Sequence, residues 1–177
     1  MNVSAPEAFL VTTFAVTVVA AAFDWRTKRI PNTLTLGGLL LAFPLHAWFS
    51  PTTIGLESAA LGMLACGVPA VVGWYLGWVA GGDVKLMSAM GALGGLSFGV
   101  EAVFLSLFCA CSFIVLRLCW DGTLLRSSRE GLTVAVSRTL LRSKRIGAPD
   151  KFTMSLRFGP FALAGAGLSL FLHGAVL

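Results

Sequence analysis

Charged residues are scarce in this 177-residue chain, at 12%, whereas 56% of its residues are hydrophobic. Soluble folds and disordered segments both carry more polar and charged residues than this, so neither class fits. The mean hydropathy of +0.86 is instead typical of a chain whose helices lie in lipid. We therefore expect an all-α membrane protein.

Histidine and cysteine are also few, with two and four residues respectively. No His-Glu-x-x-His motif occurs, so zinc proteolysis has no support in the sequence. The cysteines form no Cys-x-x-Cys pair, which favours small buried residues over a metal site or a disulfide. We predict neither a metal nor a cofactor.

Uncharged stretches divide the chain into segments of roughly membrane length. The runs between charged residues are 8–23, 30–56, 58–82, 86–100, 102–116 and 158–177. A crossing needs about 20 apolar residues, and about 17 is the lower limit. The fourth and fifth runs fall short of that length without their flanks. We predict a helical bundle of about six transmembrane helices, forming one membrane-embedded domain over residues 1–177.

Basic residues fall on one side of such a bundle. If the segments alternate in direction, all 13 Lys and Arg share that side, and Glu7, Glu57 and Glu101 lie on the other. This asymmetry predicts a cytoplasmic basic side and two non-cytoplasmic termini. The net charge of +5 is thereby explained without nucleic acid. Glu7 occupies the place of a basic n-region, so we interpret the first run as a true span and not a signal peptide.

The longest polar stretch, residues 121–157, alternates leucines loosely with arginines. This pattern favours a basic amphipathic segment on the anionic inner leaflet of the bilayer. A docking surface for a partner at the membrane is the alternative interpretation.

Asp24 is the acid that ends the first apolar segment. An acid beside a membrane-length segment is costly, and the C-terminal end of a helix disfavours negative charge by about 0.3–1 kcal/mol. Helix-end stabilisation therefore does not explain Asp24. The simplest alternative is a surface ion pair with Arg26 or Lys28, which would contribute little.

Asp83 opens the fourth segment, directly after Gly81 and Gly82. Here the simplest interpretation is an N-cap of the following helix, with the glycines ending the preceding one. Capping does not exclude catalysis, because a capping carboxylate can still face a cavity.

The predicted topology places Asp24 and Asp83 at the same depth, near the cytoplasmic face. Two carboxyl groups that meet in a poorly solvated site share a single proton. The ionised one can deprotonate water while its protonated partner polarises a scissile carbonyl. Neither His46 nor His173 lies at that depth, so a Ser-His-Asp arrangement is excluded.

Two motifs carry a resemblance to a known family. They are Asp24-Trp25-Arg26-Thr27-Lys28-Arg29-Ile30-Pro31-Asn32 and Gly81-Gly82-Asp83-Val84-Lys85-Leu86, with Phe158-Gly159-Pro160-Phe161-Ala162-Leu163 as a less specific third. In these motifs and their spacing the chain resembles the prepilin peptidases, which are membrane aspartic proteases with a G-x-G-D motif. It is most similar to the short branch associated with tight-adherence (Flp) pili.

This resemblance implies a fold, a site and a substrate. Asp24 and Asp83 would be the catalytic pair of a bacterial inner-membrane endopeptidase. The substrate would be a prepilin or pseudopilin whose basic leader is removed after a glycine at the cytoplasmic face. The other partners implied are the lipid bilayer and the pilus or secretion machinery. The residues expected to bind substrate or support the pair are Gly81, Gly82, Lys85, Pro31 and Asn32.

The chain departs from the family pattern at two points. Ala80 replaces the first glycine of G-x-G-D. The cytosolic cysteine-pair domain of the larger members is missing, so methylation of the product is not predicted. Lys85 either biases the electrostatics of the pair or extends its charged end to the membrane surface.

Two other classes of protein remain open at this point. A small proton- or cation-coupled transporter could use both aspartates as its ion site, although no inverted repeat is evident. A non-catalytic component of a pilus or secretion machine could be held at the membrane by the basic segment.

Overall fold

The computed structural model describes residues 5–27, 31–50, 52–76, 79–120 and 158–174. Nearly all of these residues lie in helices, and no strand occurs among them. The helices are α1 (Ala5–Thr27), α2 (Asn32–Phe49), α3 (Thr52–Tyr75), α4 (Gly81–Trp120) and α5 (Phe158–Gly174). The all-α class expected from the sequence is confirmed.

Three of the described helices are long and apolar enough to cross a membrane. The stretches that qualify are Ala8–Thr27, Thr53–Tyr75 and Gly81–Arg117. The apolar stretch of α5, Phe158–His173, is shorter, and α2 has 18 residues with a proline inside it. The count of six crossings therefore stays a prediction.

Contacts divide the chain into two units. The first consists of Met1–Cys109 with Arg157–Leu177, and the second of Ala110–Leu156. Within the first unit, α1 packs against α5 and α2, and α2 packs against α3. Of the second unit the structure describes the end of α4. The amphipathic segment predicted for 121–157 lies outside the described residues, and the single-domain interpretation stays a prediction.

Helix α4 is interrupted by a sharp turn at Gly95. This residue has φ 68° and ψ −167°, a combination open almost only to glycine. After this turn the chain folds back on itself. Gly99 then lies so close to Gly91 that a Cβ added to Gly99 would be 2.7 Å from the Cα of Gly91. The charge pattern placed the boundary between the fourth and fifth segments at Glu101. That position was wrong, since the reversal depends on a glycine conformation and not on a charged residue.

His46 of α2 stabilises the broken end of the first half of α4. Its ring is 2% exposed and stacks on Phe9 with ring centroids 4.1 Å apart. The ring Nε2 lies 3.1 Å from the carbonyl oxygen of Leu93. Carbonyls at a helix end lack intrahelical donors, so a proton on Nε2 satisfies this one. His46 thus has a structural role.

Small residues allow α3 and α4 to approach closely. A Cβ added to Gly62 of α3 would lie 2.6 Å from the carbonyl carbon of Gly95, and it would also meet the carbonyl oxygen of Gly91. On the same face, Cys66 packs directly against Gly91. This close packing sets the position of the first half of α4, which carries Asp83.

Candidate active site

Asp83 lies in the first turn of α4, which begins at Gly81. The N–H groups of Asp83 and Val84 donate to the carbonyl of Ala80 at 3.0 and 3.2 Å. Ala80 therefore occupies the N-cap position, and the cap interpretation of Asp83 is wrong. From the third position of the helix, the Asp83 carboxyl group accepts a hydrogen bond from the backbone of Ala80. This carboxyl group is half-buried.

Asp24 lies one turn before the end of α1 and is only 7% exposed. The backbone N–H of Gly159 donates to its Oδ2 at 3.1 Å. Gly159 is the second residue of α5, so the Asp24 carboxylate lies at the N-terminus of that helix. Unpaired N–H groups and the positive end of the helix dipole favour negative charge there. This contact offsets the unfavourable position of Asp24 on its own helix.

The expected ion pair of Asp24 is not observed. Among the described residues Asp24 and Arg26 form no ion pair, and Lys28 lies outside those residues. Arg26 is exposed while Asp24 is buried, because the two residues lie on different faces of α1. Asp24 is therefore an internal acid and not half of a surface pair.

Gly159 has to be a glycine for this contact to form. A Cβ at this position would lie 2.8 Å from the Cβ of Asp24, 2.9 Å from its Oδ2 and 3.1 Å from the Cα of Ala21. The sequence analysis named Gly159 only within the least specific of three motifs and predicted no contact for it. The available signal was a glycine beside Pro160 in the first turn of an apolar helix.

The structure brings Asp24 and Asp83 together. The charge of Asp24 acts directly on the Asp83 carboxyl group, although the two residues come from different helices. One lies near the C-terminal end of α1 and the other in the first turn of α4. The common depth predicted from the topology stays a prediction.

Lys85 and Asn32 join the two motifs at the edge of this site. The Lys85 Nζ donates to the Asn32 Oδ1 at 2.8 Å. Asn32 is the first residue of α2, while Pro31 occupies the N-cap position and no side chain caps the helix. The Pro31 carbonyl accepts from the N–H groups of Leu34 and Thr35. Lys85 therefore links the start of α4 to the start of α2.

The glycine pair belongs to α4 and does not end the preceding helix, because α3 stops at Tyr75. Gly81 is exposed, and a Cβ there would make only ordinary contact, 3.7 Å from Nε1 of Trp74. Gly82 is half-buried next to Asp83. Ala80 occupies the position of the first glycine in the G-x-G-D motif. It is exposed, so there is space for its methyl group.

A surface crevice of about 280 Å³ lies near the C-terminal end of α1. Its lining includes Ala22, Phe23, Trp25 and Arg26. The crevice combines apolar side chains with one basic group at the end of a membrane-length helix.

The bond between Lys85 and Asn32 gives a testable coupling. Lys85→Met and Asn32→Ala should each lower the free energy of unfolding slightly, by about 0.5–1 kcal/mol, because the bond is exposed to solvent. The double variant should lose no more than the larger single loss. Fully additive losses in thermal unfolding of the purified protein would show that the bond contributes nothing.

Comparison with known proteins identifies the family. Residues 11–116 match the type IV leader peptidase family. This stretch is more than half of the chain and includes both aspartates. The chain belongs to the type IV leader peptidase family. No curated protein and no solved structure matches it.

Family membership confirms the resemblance drawn from the motifs. It assigns this leader peptidase to the proteases and implies prepilins as its class of substrate. Together with the apolar helices, it indicates a protein of the inner membrane. The matched stretch ends before α5, so the contact of Gly159 with Asp24 is known from the structure alone.

Proposed function

We propose that this leader peptidase is an aspartic endopeptidase that removes the basic leader from prepilin-like substrates, with Asp24 and Asp83 as its catalytic pair. The observation that carries this proposal is the meeting of two acids from separate helices at one site. Neither acid occupies the N-cap position of its own helix or forms an ion pair among the described residues. A protein that only needed polar helix ends would not bury one of them.

The pair supports hydrolysis without a covalent intermediate. The ionised carboxylate takes a proton from water as the water oxygen attacks the scissile carbonyl carbon. The protonated carboxyl group gives its proton to the carbonyl oxygen, and a gem-diol forms. The C–N bond then breaks as the nitrogen takes the proton gained from water, and a gem-diol hydroxyl returns a proton to the second carboxyl group. Both aspartates end in their starting states.

The proposed orientation follows from the charge asymmetry. We place the site near the cytoplasmic face, both termini outside the cytoplasm and residues 121–157 on the basic, cytoplasmic side. Six crossings require α4 to supply two of them, and its reversal at Gly95 provides two segments.

The motif pattern favours the tight-adherence branch, so Flp-type prepilins are the first substrates to test. The alternative of an ion transporter fits less well, because both acids lie at helix ends and not near the middle of a membrane span.

Cleavage in a purified system tests the proposed function. The full chain, reconstituted in liposomes with a Flp-type prepilin, should release the leader, and mass spectrometry should place the cut after a glycine. The new N-terminus should be unmethylated even when S-adenosylmethionine is present. An intact prepilin accompanied by proton or cation flux across the same liposomes would favour the transporter instead.

A further inference from the structure

Each aspartate accepts a backbone hydrogen bond, but the two bonds depend on different parts of the chain. The Asp83 carboxyl group is bonded to the backbone of Ala80, three residues before it, so this contact forms together with the start of α4. The Asp24 carboxyl group accepts the N–H of Gly159, which is 135 positions away. The orientation of the Asp24 side chain therefore depends on how α5 packs against α1.

Helix α1 has no free backbone donor of its own for Asp24. This residue lies near the C-terminal end of α1, where the N–H groups are already bonded to carbonyls one turn earlier. The first N–H groups of α5 have no such partners within their own helix, and Gly159 is the second residue of α5. A buried carboxyl group needs hydrogen-bond partners, so another helix has to supply a backbone donor here.

Phe158 holds the same turn of α5 in the hydrophobic core. It is 8% exposed and belongs to a buried cluster that includes Ala20 of α1 and Met87 of α4. Ala20 lies one turn before Asp24 and Met87 one turn after Asp83, so each shares a helix face with its aspartate. The first turn of α5 is therefore connected through one core to both helices that carry the proposed pair.

We infer that the first turn of α5 is a positioning element of the active site, in which the N–H of Gly159 orients the Asp24 carboxyl group and Phe158 fixes the turn itself. The inference rests on the proposed function and adds a third helix to the two that carry the aspartates. It holds whichever carboxyl group carries the shared proton, because both forms of a carboxyl group have an oxygen that accepts an N–H. The matched family stretch ends at residue 116, before this turn begins.

The contact between α5 and α1 is too close for a side chain at position 159. A Cβ there would lie 2.8 Å from the Asp24 Cβ and 3.1 Å from the Ala21 Cα. Neither atom can rotate away, because the Cα is part of the α1 backbone and the Cβ is attached directly to it. A larger residue would therefore push α5 outward and withdraw the N–H donor. Misplacement of a reacting group by about 1 Å can cost roughly 100-fold in rate.

Replacement of the N–H alone tests the hydrogen bond without the steric effect. Cell-free translation of the full chain with glycolic acid at position 159 exchanges the amide N–H for an ester oxygen and adds no side chain. The kcat for prepilin cleavage, per folded molecule, should fall roughly 10-fold with KM nearly unchanged, because the substrate-binding surface stays intact. Thermal unfolding in detergent gives the folded fraction. A folded ester protein with the wild-type kcat would overturn the inference.

Side-chain substitutions in the same turn extend the test. Gly159→Ala should lower kcat by roughly 10-fold to 100-fold, and Phe158→Leu should lower it less, because leucine keeps most of the packing. Gly167→Ala is the matched control for the first, since its Cβ would meet the Phe14 ring only at 3.4 Å. Phe171→Leu is the control for the second, since Phe171 is 71% exposed. Both controls should keep the wild-type kcat, and losses in them as large as in the test variants would contradict the positioning role.

Failure of the inference differs from failure of the proposed function. A wild-type protein that cleaves no prepilin would overturn the proposed function and this inference with it. A wild-type protein that cleaves prepilin, beside an ester protein that cleaves it equally fast, would overturn the inference alone.

Discussion

Asp24→Asn and Asp83→Asn should each abolish leader cleavage while the protein still accumulates in the membrane. An amide at either position can neither take up the proton of water nor give an acidic proton to the scissile carbonyl. At position 24 the amide oxygen can still accept the N–H of Gly159, so the loss there would not come from a broken helix contact. General acid–base catalysis contributes roughly 10²- to 10⁴-fold per group, so we expect each variant to lose at least about 10³-fold in kcat.

The measurement is conversion of a co-expressed prepilin, followed by gel mobility and by the mass of the product. Glu57→Gln is the matched control, because it removes one negative charge from an exposed residue on α3. It should process prepilin at the wild-type rate. Normal processing by either aspartate variant would rule out the catalytic pair, and an equal loss in Glu57→Gln would trace the effect to net charge.

The aspartate pair could be predicted from sequence because each member lies in a recognisable local pattern. A charged residue beside a long apolar segment stands out, and the alternation of segments places Asp24 and Asp83 at one depth. The family match over residues 11–116 includes both positions. Their contact depends on how α1 and α4 pack, which the alternation of segments does not specify.

No comparable sequence pattern marks the contact of Gly159 with Asp24. The two residues are separated by 135 positions, and the partner atom is a backbone N–H that any non-proline residue would supply. What singles out Gly159 is the absence of a side chain, and that matters only once α5 is packed against α1. Sequence patterns describe what a helix exposes better than which backbone atoms it presents to a neighbour.

The turn in α4 was misplaced for a related reason. Runs between charged residues end at Glu101, but the backbone reverses at Gly95. The sequence contains several glycines near this point, and composition alone does not show which one takes a positive φ. Tertiary contacts make that choice, because His46 and Ser58 pack against Gly95.

Gly95→Ala should lower the free energy of unfolding by more than the same substitution at an exposed glycine does. The left-handed φ of 68° with ψ near −167° costs an alanine about 1–3 kcal/mol. Its Cβ would also lie 2.6 Å from the Ser58 Oγ and 3.1 Å from the His46 Cε1. The His46 ring is fixed between Phe9 and the Leu93 carbonyl and cannot move aside without losing both contacts. With overpacking of about 1–3 kcal/mol added, we expect a total loss of roughly 2–6 kcal/mol.

Gly37→Ala provides the control for this prediction, since a Cβ on Gly37 of α2 meets nothing within 4 Å. It should be neutral or stabilise the helix by up to about 1 kcal/mol, because alanine favours helix more than glycine does. Denaturant unfolding of both purified variants in the same detergent gives the comparison. Equal stability of the two would show that α4 does not turn at Gly95. The first half of α4 carries Asp83. The cleavage rate of Gly95→Ala should therefore fall in proportion to its folded fraction. A larger loss of activity would show that the turn affects catalysis as well as folding.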